Sequence, residues 1–129
     1  MNGSVIDTNV IIRMLKGDKT AIETLGKIEK IFVPMVVVGE LFYGAYKSAR
    51  KDENMALFTS VLSTFEILPI VISVAVSYAM IKTDLIKNGI RIPENDLWIA
   101  ATAHANDLSL VTFDSHFESI PGIKIRKNL

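Results

Sequence analysis

Hydrophobic residues recur along this chain in two alternating rhythms. Short apolar runs appear at Ser4-Val-Ile6, Ile31-Phe-Val33, Ile67-Leu-Pro-Ile70, Leu108-Ser-Leu-Val-Thr112 and Gly122-Ile-Lys-Ile125, and each reads as a strand. Between them, apolar positions fall three and four residues apart. Val10, Ile11, Met14 and Leu15 predict a first helix that stops at Gly17-Asp18. Ile22, Leu25 and Ile28 make one stripe on a second, capped by Asp18 or by a Thr20/Glu23 box and running to Lys30. A third helix is expected from Pro34 or Met35 to about Ala49, with Val37, Glu40, Leu41, Gly44 and Ala45 on one face and close packing against Gly39 and Gly44. A fourth starts at Asp52 or Asn54 and carries Met55, Leu57, Phe58, Val61, Leu62 and Phe65. Ser73 is expected to cap a fifth over Val74–Lys87, ended by Asn88-Gly89. The last helix opens at Pro93, reaches about Asn106 and is apolar on nearly every side, as suits a helix packed inside the protein.

Strands and helices therefore alternate with no hairpin signal, no repeat and no linker. This order predicts one α/β domain over residues 1–129: a mainly parallel central sheet of about four or five strands with helices on both faces. Half of the 129 residues are hydrophobic, which excludes disorder. The absence of cysteine excludes disulfides, thiolate metal sites and cysteine catalysis, and two histidines are too few for a histidine-built zinc site. Any metal must then be held mainly by oxygen. The longest apolar run, 67–81, is broken by Pro69 and falls short of the ~20 residues that span a bilayer. With no signal-peptide pattern at Met1-Asn-Gly-Ser4, a soluble, cytoplasmic protein without membrane association is expected.

Lysine plus arginine and aspartate plus glutamate balance at 14 each. That balance hides a possibility: with four acids gathered in one metal site, the remaining chain carries 14 bases against 10 acids. Lys47 to Lys51 and Lys124 to Lys127 are candidate phosphate-binding patches. The four acids in question are Asp7, directly after the first strand, Glu40 on the inward face of the third helix, Asp96 at the head of the last helix, and Asp114 just beyond the fourth strand. In open parallel sheets ligands collect beyond the carboxyl ends of the strands, so all four can converge there. Crowded carboxylates repel, and a divalent cation removes that penalty; with oxygen donors, Mg²⁺ or Mn²⁺ is the natural occupant. Such an ion acidifies a bound water and stabilises charge on a phosphate. Each acid also has a plainer reading: Asp7 and Asp96 as helix-start residues, Asp114 as a turn residue. His104 reads as structural, while His116 is left open.

Ser4-Val-Ile-Asp-Thr-Asn9, Val38-Gly-Glu-Leu41, Asn95-Asp-Leu-Trp-Ile-Ala-Ala-Thr-Ala103 and Leu110-Val-Thr-Phe-Asp114 together resemble the successive motifs of the PIN-domain family, in particular its VapC-type toxin ribonucleases. The likeness runs from Ser4 to about Ile125. It implies a Mg²⁺- or Mn²⁺-dependent endoribonuclease with Asp7, Glu40, Asp96 and Asp114 as an acidic quartet that serves both catalysis and metal binding, and Thr112 as the hydroxyl beside it; on this reading Thr112 and Asn9 position carboxylate or phosphate. It further implies an RNA substrate, a homodimer, and a small antitoxin that blocks the site. One position departs from the pattern: many relatives carry an acid before the residue that is Phe117 here, and this chain has His116. Two alternatives stand beside this reading. One is a haloacid-dehalogenase-like phosphatase or phosphotransferase with Asp7 as nucleophile, although Asn9 stands where that chemistry wants a second Asp. The other is a binding module with a degenerate site.

Overall fold

The computed structural model describes residues 3–126. Its elements, in order, are β1 (Gly3–Ile6), α1 (Thr8–Leu15), α2 (Lys19–Gly26), β2 (Lys30–Pro34), α3 (Met35–Tyr46), α4 (Lys51–Leu62), β3 (Glu66–Leu68), α5 (Ile72–Lys87), α6 (Glu94–Ala105) and β4 (Ser109–Val111), closed by a 3-10 turn at Ser115–Ser119. The strands form one parallel sheet in the order β3-β2-β1-β4. All four residues of β1 are buried, and neighbouring residues in a strand point to opposite faces, so both faces of the sheet are covered. The expected α/β domain is the observed one. The expected fifth strand contracts to a single parallel bridge between Leu110 and Ile125. Within β1, Gly3 has a steric reason: a Cβ there would stand 2.3 Å from the ring of Phe32 on β2.

Local chemistry explains where the helices begin and end. Asp18 caps α2, accepting the Ala21 N–H at 3.0 Å, and it also pairs with Arg13 of α1 at 2.8 Å. The Thr20/Glu23 box therefore does not form. Helix α5 starts earlier than Ser73 allows, because the Val71 carbonyl already accepts the Ala75 N–H at 3.1 Å. Its far end is as expected, with Asn88 as C-cap and Gly89 at φ 69°. Pro93 flanks α6 at its N-cap instead of filling its first turn. A Cβ on Gly39 or Gly44 would meet nothing within 4 Å, so no close packing demands a glycine at either place.

Helix α6 is the inner helix of the fold. Leu97 and Ile99 to Ala103 are buried, and the alanines let it pack against α5, α3 and β4. The core gathers Val5, Ile6, Val10, Ile11, Val33, Val37, Leu41, Ile99, Leu110 and Phe117, of which Phe117 is the largest fully buried side chain. Thus the 3-10 turn carrying Asp114 and His116 is pinned to the core through Phe117. Among the described residues no helix is long and apolar enough to cross a membrane.

Candidate metal centre

The chain leaves β1 toward β2 on one side, while β4 lies on the other side of β1. Here neighbouring crossovers diverge and leave a crevice beyond the strand ends. Asp7, directly after β1 and at the N-cap of α1, lies at its floor and is only 5% exposed. One carboxylate oxygen, Oδ1, accepts the Thr8 N–H at 2.7 Å, and the other, Oδ2, accepts the Thr112 hydroxyl at 2.7 Å. Thr112 follows β4 directly, so this bond stitches the two strand ends together. The Thr112 oxygen in turn accepts the Asp114 N–H at 3.0 Å. Asn9 completes the stitching: its Oδ1 accepts the Phe113 N–H at 3.4 Å.

Glu40 enters from α3. The Thr8 hydroxyl donates to its Oε1 at 2.7 Å, and the Asn95 amide reaches its Oε2 at 3.5 Å. Asp96, in the first turn of α6, lies opposite His116. The imidazole Nε2 is 2.7 Å from Asp96 Oδ2, and Nδ1 is 2.6 Å from Asp114 Oδ1. Among the described residues, ligand atoms of Asp96, Asp114 and His116 lie within 4.8 Å of one another.

Burial pushes the Asp7 carboxyl up to about 6, against the pull of its hydrogen bonds from Thr112 and Thr8; the charges of Asp96 and Glu40 push it further the same way. Asp96 is also raised, first by burial and also by Asp114, while the contact with His116 works in the opposite sense. A buried carboxylate that other carboxylates disfavour is a site short of positive charge. The donor set is carboxylate oxygen with one imidazole, which fits a Mg²⁺- or Mn²⁺-sized cation and offers nothing to a thiophilic metal.

All four acids named from the sequence thus meet at one sheet edge, together with Thr112 and Asn9. Two participants escaped the sequence reading, Thr8 and Asn95, which hold Glu40; His116, left open there, joins Asp96 to Asp114. Thr8 and Asn95 each adjoin a named acid, and that adjacency was the available signal. His104 is structural, its Nδ1 2.8 Å from the Ser77 hydroxyl of α5. The basic patches are mostly engaged elsewhere: Lys47 and Lys51 lie over the rings of Tyr43 and Tyr46, Arg50 pairs with Glu53, and Lys124 pairs with Asp107. Lys127 lies outside the described residues.

The PIN-domain family model matches residues 4–123, a span that holds all four acids and the whole sheet except Gly3. The chain belongs to the PIN-domain family. It is 36% identical over 112 residues to ribonuclease VapC2 of Haemophilus influenzae, covering 84% of this chain and 83% of that one. Among solved structures it resembles the DNA-bound VapBC of Salmonella typhimurium, with TM-score 0.90, 28% identity and 98% of each chain covered. It also resembles VapBC-5 of Mycobacterium tuberculosis, a member of the VapBC family of toxin–antitoxin systems, with TM-score 0.79, 28% identity, and 98% of this chain and 100% of that chain covered. These likenesses leave the phosphotransferase alternative without support.

Proposed function

We propose that this chain hydrolyses RNA phosphodiesters at a divalent cation, Mg²⁺ or Mn²⁺, held by the acids beyond β1 and β4. The broader class, a VapBC-type toxin endoribonuclease, rests on the curated VapC relatives and the VapBC structures it resembles. The observation that carries the finer reading is Asp7: a buried carboxylate raised to about 6, with Glu40 and Asp96 adding to the shift. Without a cation, such a cluster repels the negatively charged phosphodiester.

In this reading Asp7 and Asp96 hold the ion, which supplies an acidified water and stabilises charge developing on the phosphate. Thr112 and Thr8 fix both oxygens of Asp7, so that carboxylate is oriented before any ligand arrives. Glu40 serves as third ligand or as the base oriented on the attacking water, its direction set by Thr8 and Asn95. Asp114 stands at the outer rim. Asn9 holds the loop after β4 in place. A cleft of about 530 Å³ beside the head of α6 is lined by Arg91 and by the Lys82–Glu94 ion pair, so the positive charge it offers to an RNA backbone comes from Arg91.

We propose two partners: a small antitoxin, supported by the VapBC toxin–antitoxin structures this chain resembles, and a second copy of the chain. Surfaces suited to them are the exposed Met35, Tyr43, Tyr46 and Leu57 of α3 and α4, and the stripe Ile72, Val76 and Met80 along α5. Val36, Phe42, Phe58 and Val61 beside them are partly buried and pack against the core.

Incubating the purified protein with total RNA in ¹⁸O-labelled water, then mapping the new ends, tests the reaction. Hydrolysis places the label on a product phosphate. Trapping phosphorylated Asp7 would move the protein to a different reaction class.

A further inference from the structure

The imidazole of His116 occupies the gap between two of the four acids, with one nitrogen on each. Its two contacts differ in kind. Asp114 and His116 belong to the same 3-10 turn: the Asp114 carboxylate caps that turn by accepting the His116 N–H at 3.4 Å, and its own N–H is fixed on Thr112. The Nδ1 contact is therefore local and prearranged. Nε2 instead crosses the crevice to Asp96 on α6. The ring is held flat against Phe117, centroids 4.9 Å apart and planes 24° apart, and Phe117 is itself fully buried. Exposure follows the same gradient, with Asp114 at 43% and Asp96 at 18% of their side chains.

We propose that His116 Nε2 is a direct ligand of the divalent cation beside Asp96, and that Asp114 acts on the imidazole and not on the ion. This rests on the reading of the crevice as a metal centre and specifies its donor set. Two ligands at right angles around an ion, each about 2.1 Å from it, stand about 3 Å apart. Nε2 and Asp96 Oδ2 are already 2.7 Å apart, so an ion can be held by both with little movement of either side chain. Nδ1–H stays on Asp114, giving the carboxylate–histidine–metal arrangement that fixes tautomer and ring orientation. A nitrogen ligand has a chemical consequence. Mg²⁺ favours an all-oxygen shell, whereas Mn²⁺ accepts imidazole more readily, so His116 tilts this centre toward Mn²⁺.

The test is pulsed EPR of Mn²⁺ added to the metal-stripped full chain. The spectrum should carry modulation from one directly bound ¹⁴N, converted to the ¹⁵N pattern when histidine is ¹⁵N-labelled. The signal should survive in His104→Gln, whose side chain lies toward the other end of α6, and vanish in His116→Gln. In His116→Asp the preference for Mn²⁺ over Mg²⁺ in direct binding titrations should narrow about tenfold, and Asp114→Asn should keep the ¹⁴N signal while weakening Mn²⁺ about tenfold. Mn²⁺ that binds the wild-type chain with no coupled nitrogen refutes the proposal and leaves an acid-only metal centre standing. No Mn²⁺ binding at all overturns both. The labelled wild-type and His104→Gln spectra decide the matter even if a His116 variant fails to fold.

Discussion

Replacing Asp7 by Asn separates an acid kept for metal from an acid kept for the fold. A carboxyl raised from 3.8 to about 6 in the folded protein opposes folding once it ionises. The shift of about two units corresponds to about 3 kcal/mol at pH 7 and above. The sign follows from linkage. Between pH 4 and 6 the folded chain binds more protons at Asp7 than the unfolded chain, so the metal-free protein loses stability as pH rises through this window. Asn removes that penalty. It also places an amide where the carboxylate accepts from Thr8 and Thr112, each at 2.7 Å, a mismatch that costs about 1 kcal/mol. The net expectation in EDTA is a variant more stable by about 2 kcal/mol at pH 8, or about 6 °C in Tm for a domain of this size. At pH 4 the order reverses, with a crossing near about pH 4.5. Melting curves from pH 4 to pH 8 in EDTA, for both proteins, measure this directly. A variant that melts lower than the wild type at every pH would show that Asp7 is a structural cap and that the burial argument fails.

Other expectations follow from the same contacts. Thr112→Val removes the hydroxyl on Asp7 Oδ2, so the Asp7 carboxyl should titrate higher still, visible in its ¹³C NMR shift, and stability at pH 8 should fall by about 1–2 kcal/mol; an unchanged titration would mean the hydroxyl does not govern that charge. Arg91→Ala should weaken RNA binding and reduce the slope of log affinity against log salt by about 1, measured by fluorescence anisotropy across a salt series. An unaltered slope would place the RNA elsewhere. Met80→Glu, on the exposed stripe of α5, should leave Tm nearly unchanged and turn a dimer into a monomer by light scattering. A wild-type chain already monomeric at high concentration contradicts the assignment of that surface.

The fold was legible in the sequence because its two signals are strong and local. Strand runs such as Ser4-Val-Ile6 are bounded by turn and cap residues, and the stripes of α1 and α2 have helical spacing. What failed were features decided by neighbours. The start of α5 depends on which carbonyl the Ala75 N–H finds, and the Val71 oxygen wins over a Ser73 cap. The glycines of α3 looked like close-packing sites, but packing is a property of what lies opposite, and nothing does. The strand expected at Gly122–Ile125 has the right residues and too little partner strand, so only the Leu110–Ile125 bridge forms.

The site divides in the same way. Asp7, Asp96 and Asp114 were readable because each sits at an element end, and Glu40 because its helical neighbours Val37 and Leu41 are buried. His116 stood out but its role did not, since that role comes from bridging two acids that are 20 and 2 residues away in the chain. Sequence spacing shows that Asp114 and His116 share a turn. It does not show that the turn faces Asp96.

The central claim, that the acids beyond β1 and β4 hold a cation that drives RNA cleavage, is tested most directly by metal-readdition kinetics. Protein stripped with EDTA and dialysed is assayed for cleavage rate on one RNA while Mg²⁺ or Mn²⁺ is titrated back, with Asp96→Asn beside it. The account predicts no cleavage by the stripped chain, saturable recovery with either ion in the wild type, and none at any metal concentration in the variant. Cleavage by the stripped protein at the undiminished rate, or full recovery in Asp96→Asn, would contradict it.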